Sequence, residues 1–375
     1  MDLSAPTGVI AQGYIVHASI QKHRFNQQIR ERFAFGAHRP TSDRPEILVV
    51  VIGESARPDR FATNGYHRET THHLRELDNL ISFTNVVTEW PLTQASVPIM
   101  LSRATARDMD RALKEKSIVA ALGEAGFETH WITVQPFSHY GGFIHVLAGD
   151  ADKIQYLNRV HDGVLLGALD AILDDAAVGD RKIAIFMHSL GSHQSYINRY
   201  PPEFSFFDDS GEGLTYKETL DNAYDNSIRY TDWFLSEIIA RLQSAGAIAS
   251  MLYVSDHGEN LLDDEREILG HNFGTKYDFS IPLILWYSDE YFEAHPEKIE
   301  NALGRVAQKL GTSNIFDSLA DIADLRFESF REENSFLSSS FMESPRIVYR
   351  QNEDYFFDYD SQEEELLLIR DDAGM

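Results

Sequence analysis

The sequence contains no cysteine among its 375 residues. This absence excludes disulfide bonds, iron–sulfur clusters and zinc sites built from thiolates. A metal ion bound to this chain would have to be held by histidine, aspartate, glutamate and hydroxyl groups. That set of ligands suits Zn²⁺ or Mn²⁺.

Long apolar segments are missing as well. A membrane-spanning helix needs roughly 18 or more consecutive apolar residues, and the sequence has no such run. Met1–Gln12 also lacks the basic start and apolar core of a signal peptide. These two absences predict a chain that is soluble as given.

Positive charge is scarce. The chain has 33 Lys and Arg residues against 59 Asp and Glu residues, which gives a formal net charge of −26. A surface with this charge repels polyphosphate and gives no broad attraction to anionic lipid. The composition therefore argues against nucleic acid as a partner.

Short apolar runs alternate with helical patterns after residue 46. This alternation is typical of an α/β fold, with a largely parallel central sheet and helices on both of its faces. Helices are predicted over Asn222–Gln243, where apolar side chains recur at spacings of three and four, and over Ser117–Ala125. The candidate core strands are Ile47–Ile52, Thr129–Val134, Ile183–His188, Met251–Ser255 and Ile281–Trp286.

Residues 1–45 are predicted to be peripheral to the domain. They contain a polar, basic stretch over residues 21–32 and a linker with Pro and Gly over residues 36–45. A single domain is predicted over residues 46–375. Its end should form a small α+β subregion with one helix and two antiparallel strands, at Ile315–Leu325, Arg346–Arg350 and Tyr355–Tyr359.

Ionisable side chains gather at the ends of the predicted strands, where open α/β sheets bind their ligands. Glu54 follows one strand, and Asp256 and His257 follow another, with Gly258 allowing the chain to turn. Two carboxylates and one imidazole match the three protein ligands of a catalytic zinc site. An acid such as Glu54 can also be a helix cap or a solvated loop residue. The additional histidines near other strand ends favour a metal site, and these are His188, His193 and His271.

A nucleophile is expected in the loop over Trp90–Met100, which is rich in small and hydroxyl residues. Thr93 and Ser96 both qualify, because a helix N-terminus favours an anion and a bound metal lowers the pKa of a hydroxyl. Both residues could instead be helix N-caps. Spacing along the chain does not choose between them.

Several uncommon strings occur in order between residues 46 and 290. They are Val49–Tyr66, Asn85-Val86, Ser96–Pro98, His188–His193, Arg199–Pro201, Tyr224–Asn226, Tyr230–Asp232 and Ser255–Glu259. With these strings the sequence resembles the alkaline-phosphatase/sulfatase superfamily. It is more closely similar to the catalytic domain of bacterial phosphoethanolamine transferases that act on lipid A or the lipopolysaccharide core. An arylsulfatase fits less well, because Ile99 and Met100 replace the Arg expected after Ser96–Pro98.

The resemblance implies a role for each candidate residue. Glu54, Asp256 and His257 would bind the catalytic Zn²⁺, and Thr93 would be both the nucleophile and the fourth ligand. Three histidines would line the site, bind a second zinc ion or contact phosphate, and supply a general acid or base: His188, His193 and His271.

The implied reaction is zinc-dependent transfer of phosphoethanolamine from phosphatidylethanolamine to a glycolipid, through a phospho-threonine intermediate. It would take place at the periplasmic face of the bacterial inner membrane, to which an N-terminal anchor absent from this chain would hold the protein. The alternatives are a phosphodiesterase or sulfatase-type hydrolase of the same superfamily, or a non-catalytic domain. The chain departs from the transferases in having no cysteine, and in offering neither Asn nor Lys to the headgroup over Trp131–Gly142.

Overall fold

The computed structural model of the chain describes residues 26–40, 44–135, 143–158, 161–176 and 181–361. Four stretches named above lie wholly or partly outside these ranges. They are the N-terminal residues 1–25, residues 41–43 of the predicted linker, residues 136–142 of the stretch that offers neither Asn nor Lys, and the C-terminal residues 362–375.

A seven-stranded sheet forms the centre of the fold. The strands of the described chain are β1 (Glu46–Gly53), β2 (Leu80–Phe83), β3 (Val86–Val87), β4 (Glu128–Thr133), β5 (Lys153–Tyr156), β6 (Lys182–His188), β7 (Ile248–Ser255), β8 (Asn260–Leu261), β9 (Leu269–Gly270), β10 (Leu283–Tyr287), β11 (Leu310–Gly311), β12 (Ile347–Arg350) and β13 (Tyr355–Asp358). The central sheet has the order β2-β10-β7-β1-β6-β4-β5, and its strands pair in parallel except at β10. The predicted α/β class with a largely parallel sheet is confirmed.

Strand β1 lies in the middle of the sheet because it is apolar on both faces. Its side chains alternate between two hydrophobic clusters, and Val49–Ile52 have no exposed surface. Burial of each such side chain contributes about 1.5–3 kcal/mol to folding. The continuous apolar run that predicts a doubly covered strand is thus the central strand of the sheet.

The register of β1 brings three strand ends to one edge. Ile52 pairs with His188 of β6 and with Val254 of β7, and Gly53 pairs with Ser255. Because the three strands are parallel, the residues that follow them leave the sheet side by side. Glu54 therefore lies next to the segment that begins with Asp256.

Helices cover both faces of the sheet. They are α1 (residues 26–32), α2 (His72–Arg75), α3 (Thr93–Leu101), α4 (Arg111–Lys114), α5 (Ile118–Glu124), α6 (Phe143–Ala148), α7 (Val164–Ala176), α8 (Tyr216–Ser244), α9 (Lys276–Phe279), α10 (Asp289–Ala294), α11 (Pro296–Leu303) and α12 (Ile315–Ile322). Helix α8 begins earlier than the predicted Asn222, because Thr215 and Glu218 form a capping box at its N-terminus. Within the described residues, even this longest helix is too polar to lie across a bilayer, and the other helices are too short or too polar.

The C-terminal subregion has the predicted elements. Helix α12 covers most of the predicted helix, and β12 and β13 pair in an antiparallel ladder. The short strand β11 joins this part of the chain to β3.

The described part of the N-terminal segment packs on the domain. Phe35 is 8% exposed and belongs to a hydrophobic cluster, and the backbone N–H groups of Phe35 and Ala37 donate to the carboxylate of Glu124. Arg30 forms a buried ion pair with Asp150. Residues 30–37 thus contribute to the packing of the domain, and the boundary at residue 46 stays a prediction.

Candidate active site

Glu54, Asp256 and His257 converge at the carboxyl edge of the sheet. All three are buried, and one ligand atom of each lies within 4.8 Å of the other two. His257 Nε2 is 3.3 Å from Glu54 Oε1 and 3.4 Å from Asp256 Oδ2. The structure thus brings together the three residues for which the resemblance implies a shared metal ion.

Hydrogen bonds fix the orientation of these side chains. The backbone N–H groups of Ser55 and His257 donate to Asp256 Oδ1 at 3.1 and 2.7 Å, and Ser55 Oγ donates to Glu54 Oε1 at 2.8 Å. His257 Nδ1 lies 2.8 Å from the carbonyl oxygen of Gly258. Because that contact requires a proton on Nδ1, Nε2 is the ring nitrogen that faces the two carboxylates and is available to a metal ion.

The electrostatics of the cluster are those of a cation site. Burial and the carboxylate of Glu54 raise the pKa of Asp256 to about 7. Burial would lower the pKa of His257, but the carboxylates of Asp256 and Glu54 raise it to about 10. Burial would raise the pKa of Glu54, but the hydrogen bond and charge of His257 lower it. Among the described residues Asp256 Oδ2 has no hydrogen-bond partner although it is buried, which fits an oxygen that binds a metal.

Thr93 lies beside this cluster at the start of α3. Its Oγ1 is 3.3 Å from Glu54 Oε2 and 3.3 Å from His257 Nε2. Ser96 is fully buried and donates from Oγ to the carbonyl oxygen of Asp256 at 2.6 Å, while it accepts from Thr88 Oγ1. The hydroxyl of Ser96 therefore supports the backbone, and the hydroxyl of Thr93 is the one at the cluster.

His271 adds a second group of ligand atoms. Its ring centroid is 3.9 Å from that of His257, and its Nδ1–H donates to Glu259 Oε2 at 2.9 Å. The other oxygen of Glu259 accepts from Tyr196 OH at 2.8 Å. His257, Glu259 and His271 also place ligand atoms within 4.8 Å of one another.

The other two histidines lie on the opposite side of Glu54. His188 is the last residue of β6 and is buried, and this burial lowers its pKa to about 4. His193 lies at the partly exposed end of the otherwise buried loop that follows, and its charge helps to lower the pKa of Glu54. All the predicted site residues therefore surround Glu54 or His257, and their roles stay predictions.

Gln135 contacts the site without having been predicted there. Its Nε2 donates to Glu54 Oε2 at 3.1 Å and to the carbonyl oxygen of Ser189 at 2.8 Å. The stretch over Trp131–Gly142 was noted only for its lack of Asn and Lys. A polar amide directly after a buried strand is the local signal that could have found this residue.

Two buried aspartates bind the loops that carry histidines. Asp278 accepts hydrogen bonds from three consecutive backbone N–H groups in the loop after His271. Asp162 accepts two N–H groups from the loop that leads to His193, and its pKa is raised by burial to about 6. The capping-box pattern of Thr275 and Asp278 was visible in the sequence, whereas nothing in the sequence around Asp162 pointed to the loop it binds.

Gly258 is required because the chain passes close to α9. A Cβ atom added at this position would lie 1.9 Å from the carbonyl oxygen of Tyr277, and the φ angle is not in the left-handed region. The lack of room for a side chain therefore explains why residue 258 is glycine, and it does so better than the turn that the sequence suggested.

Gly258→Ala is expected to lower the free energy of unfolding by about 3 kcal/mol or more, since backbone atoms must move. Urea denaturation measures this. The matched control is Gly123→Ala in α5, where no atom lies within 4 Å of the added Cβ and a gain of up to about 1 kcal/mol is expected. A Gly258→Ala variant as stable as the wild type would contradict the close approach.

Comparison with known proteins agrees with the geometry. A sequence model of the sulfatase family matches residues 46–325. Phosphoethanolamine transferase EptC of Escherichia coli strain K12 is 30% identical over 344 residues, which cover 86% of this chain and 58% of that protein. Phosphatidylethanolamine transferase Mcr-1 of Escherichia coli is 30% identical over 310 residues, covering 77% of this chain and 57% of that protein. The chain therefore spans less than two thirds of the length of these relatives.

A solved structure shows the same architecture. The crystal structure of the C-terminal periplasmic domain of EcEptC from Escherichia coli matches with a TM-score of 0.77 and 27% identity, over 87% of this chain and 95% of that chain. The same domain in complex with Zn gives the same values. The chain thus belongs to the sulfatase family and is similar within it to phosphoethanolamine transferases, as its sequence motifs indicated.

Proposed function

We propose that this chain is the catalytic domain of a zinc-dependent phosphoethanolamine transferase. It would move phosphoethanolamine from phosphatidylethanolamine to lipid A or the lipopolysaccharide core, at the periplasmic face of the bacterial inner membrane. The main support is the position of Thr93 Oγ1, at 3.3 Å from both Glu54 Oε2 and His257 Nε2. The names of the relatives support the same reaction, and the zinc complex of a similar domain supports the metal.

Glu54, Asp256 and His257 would hold one zinc ion, with Thr93 as a further ligand. Two carboxylates, one imidazole and one hydroxyl fit Zn²⁺, and they fit Mn²⁺ as well. Bound zinc would lower the pKa of the Thr93 hydroxyl and neutralise charge on a phosphate. A second ion could be held by the group that includes Glu259 and His271.

Thr93 would act as the nucleophile. The Thr93 hydroxyl gives its proton to a basic group of the site, and Oγ1 forms a bond to the phosphorus of the donor lipid while the bond from phosphorus to the glycerol oxygen breaks. Diacylglycerol leaves after its oxygen takes up a proton, and Thr93 carries the phosphoethanolamine group. An oxygen of the glycolipid, having given up its proton, then bonds to the same phosphorus while the bond from phosphorus to Thr93 Oγ1 breaks, and Oγ1 takes a proton back.

His271 is the best placed of the three histidines to move these protons. The buried carboxylate of Glu259 accepts from its Nδ1–H and so fixes the orientation of the ring. The low pKa of His188 keeps that ring neutral near pH 7, which suits a ligand or a phosphate contact. His193, at the partly exposed end of its loop, would contact the phosphate from the side of Glu54.

Product analysis tests transfer against hydrolysis. The zinc-loaded chain is incubated in mixed micelles with phosphatidylethanolamine labelled in its headgroup, with and without lipid A. We expect labelled lipid A and unlabelled diacylglycerol when both substrates are present. Release of labelled phosphoethanolamine to water, unchanged by lipid A, would instead support a hydrolase of the same family. Less than one zinc ion per chain after dialysis against zinc would favour a non-catalytic domain.

A further inference from the structure

The loop over residues 189–193 is held against the end of β1 by its own backbone. Ser189 N donates to the carbonyl oxygen of Ile52, and Ser192 N donates to that of Glu54 at 2.9 Å. His193 N donates within the loop, to the carbonyl oxygen of Leu190. Two N–H groups in the middle of the loop, those of Leu190 and Gly191, must find acceptors elsewhere.

Asp162 is the acceptor for both. Its Oδ1 accepts from Leu190 N at 2.7 Å, and its Oδ2 accepts from Gly191 N at 2.9 Å. The side chain comes from the segment just before α7 and is almost fully buried, since Asp162 is 3% exposed. Charged acceptors form stronger hydrogen bonds than neutral ones, so this carboxylate binds the loop firmly.

The opposite side of the loop is packed against a proposed zinc ligand. Gly191 has a φ of +47°, and a Cβ atom added there would lie 2.7 Å from the backbone oxygen of Glu54 and 2.9 Å from its nitrogen. The loop therefore fills the space between the Asp162 carboxylate and the backbone of Glu54. A displacement of the loop would move both Glu54 and His193.

We propose that Asp162 is a positioning residue, which holds the 189–193 loop against Glu54 and so fixes Glu54 and His193 for the reaction. The effect on turnover rests on the function proposed above. The effect on zinc affinity rests on the zinc site proposed there, whereas the effect on hydrogen exchange in the loop rests on neither, and this separates the two proposals experimentally.

Asp232 provides a matched control because it makes the same kind of contact elsewhere. Its two oxygens accept from the consecutive backbone N–H groups of His73 and Leu74 at 2.9 Å each, and Asp232 is 2% exposed. Neither partner belongs to the candidate active site. Replacing either aspartate by asparagine leaves one backbone N–H facing an amide NH₂ group. Asp232→Asn also weakens the contact of Asp232 with Nδ1 of His73 at 2.8 Å, so this control is the more disruptive change.

The experiment compares Asp162→Asn and Asp232→Asn in the zinc-loaded chain. Hydrogen-exchange mass spectrometry follows peptides over residues 189–193 and 72–75, calorimetry measures zinc affinity, and headgroup-labelled phosphatidylethanolamine measures kcat and KM. For Asp162→Asn we expect about tenfold faster exchange in the 189–193 loop, about tenfold weaker zinc binding, and a kcat lowered about tenfold or more with KM within about twofold. For Asp232→Asn we expect faster exchange only over residues 72–75, with zinc affinity and kcat within about twofold of the wild type.

Equal losses of kcat and zinc affinity in the two variants would overturn the proposal, because they would show a general effect on stability. Faster loop exchange in Asp162→Asn with unchanged zinc affinity and kcat would also overturn it. If the wild type shows no transfer, hydrogen exchange in the loop and zinc affinity alone test the positioning role of Asp162. If Asp162→Asn does not fold, Asp162→Glu takes its place, since it keeps both oxygens but displaces the loop.

Discussion

Replacing Thr93 by alanine is expected to reduce phosphoethanolamine transfer by about 10⁴-fold or more, because the oxygen that forms the covalent intermediate is removed. Zinc should remain bound, since Glu54, Asp256 and His257 still converge and Thr93 supplies only one hydroxyl. The free energy of unfolding should change by less than about 1 kcal/mol, because Thr93 is only partly buried and its hydroxyl does not cap α3. Initial rates, zinc content and urea denaturation of the same preparations test these three expectations.

Two further variants make the assignment of Thr93 specific. Thr93→Ser keeps a hydroxyl at the same place and should retain measurable transfer. Ser96→Ala removes the other candidate hydroxyl, which donates to the carbonyl oxygen of Asp256, and should cost about 1–3 kcal/mol of stability while transfer continues. Continued phosphoethanolamine transfer by Thr93→Ala would contradict the assignment of Thr93 as the nucleophile. Complete loss of transfer in a fully folded Ser96→Ala variant would contradict it as well.

Glu54→Gln is expected to weaken zinc binding by about 10³-fold, equivalent to about 4 kcal/mol, while it changes the stability of the metal-free chain by less than about 1 kcal/mol. The amide keeps the shape of the side chain but has no negative charge for the ion. Without metal, the substitution removes the repulsion between the buried carboxylates of Glu54 and Asp256, and it also removes the ion pair of Glu54 with His257. The relieved repulsion offsets the lost ion pair and the weakened hydrogen bonds from Ser55 and Gln135. Calorimetric titration with zinc and urea denaturation of the metal-free chain measure the two effects.

Glu89→Gln is the control for this change. Glu89 is 7% exposed, and burial raises its pKa, but it belongs to neither group of ligand atoms found in the described residues. Its replacement should leave zinc affinity within about twofold of the wild type. If Glu54→Gln binds zinc as tightly as Glu89→Gln does, Glu54 is not a zinc ligand. That result would favour the alternative in which Glu54 is a strand-end acid that serves as a helix cap.

Much of the architecture could be predicted from the sequence because it depends on local patterns. The apolar run over Ile47–Ile52 requires cover on both faces, and the structure places it as the central strand with no exposed side chain over Val49–Ile52. The spacing of apolar residues predicted α8, although its start was missed because a capping box extends it. Acids and histidines that directly follow apolar strands predicted an edge of the sheet with ionisable groups.

The tertiary structure alone decided which of these groups meet. The choice between Thr93 and Ser96 depends on hydrogen bonds to Glu54, His257 and Asp256, which are distant in sequence. The spacing of residues along the sequence does not indicate which distant residues make such contacts.

Gln135 and Asp162 show the same limit. Gln135 binds the carboxylate of Glu54, and Asp162 binds backbone N–H groups of the 189–193 loop. These partners follow other strands of the sheet, so the contacts can be seen only once the strands are paired in register. The sequence by itself determined five of the seven strands of the central sheet, the helices α5, α8 and α12, and the supply of ligands at the strand ends, because hydrophobic burial and helix periodicity act between near neighbours. One site forms from Glu54, Thr93, Asp256 and His257 because β1 and β7 pair in parallel register and α3 packs against the ends of these strands. Strand pairing and helix packing join segments that are far apart in the chain, so only the tertiary structure decided this arrangement.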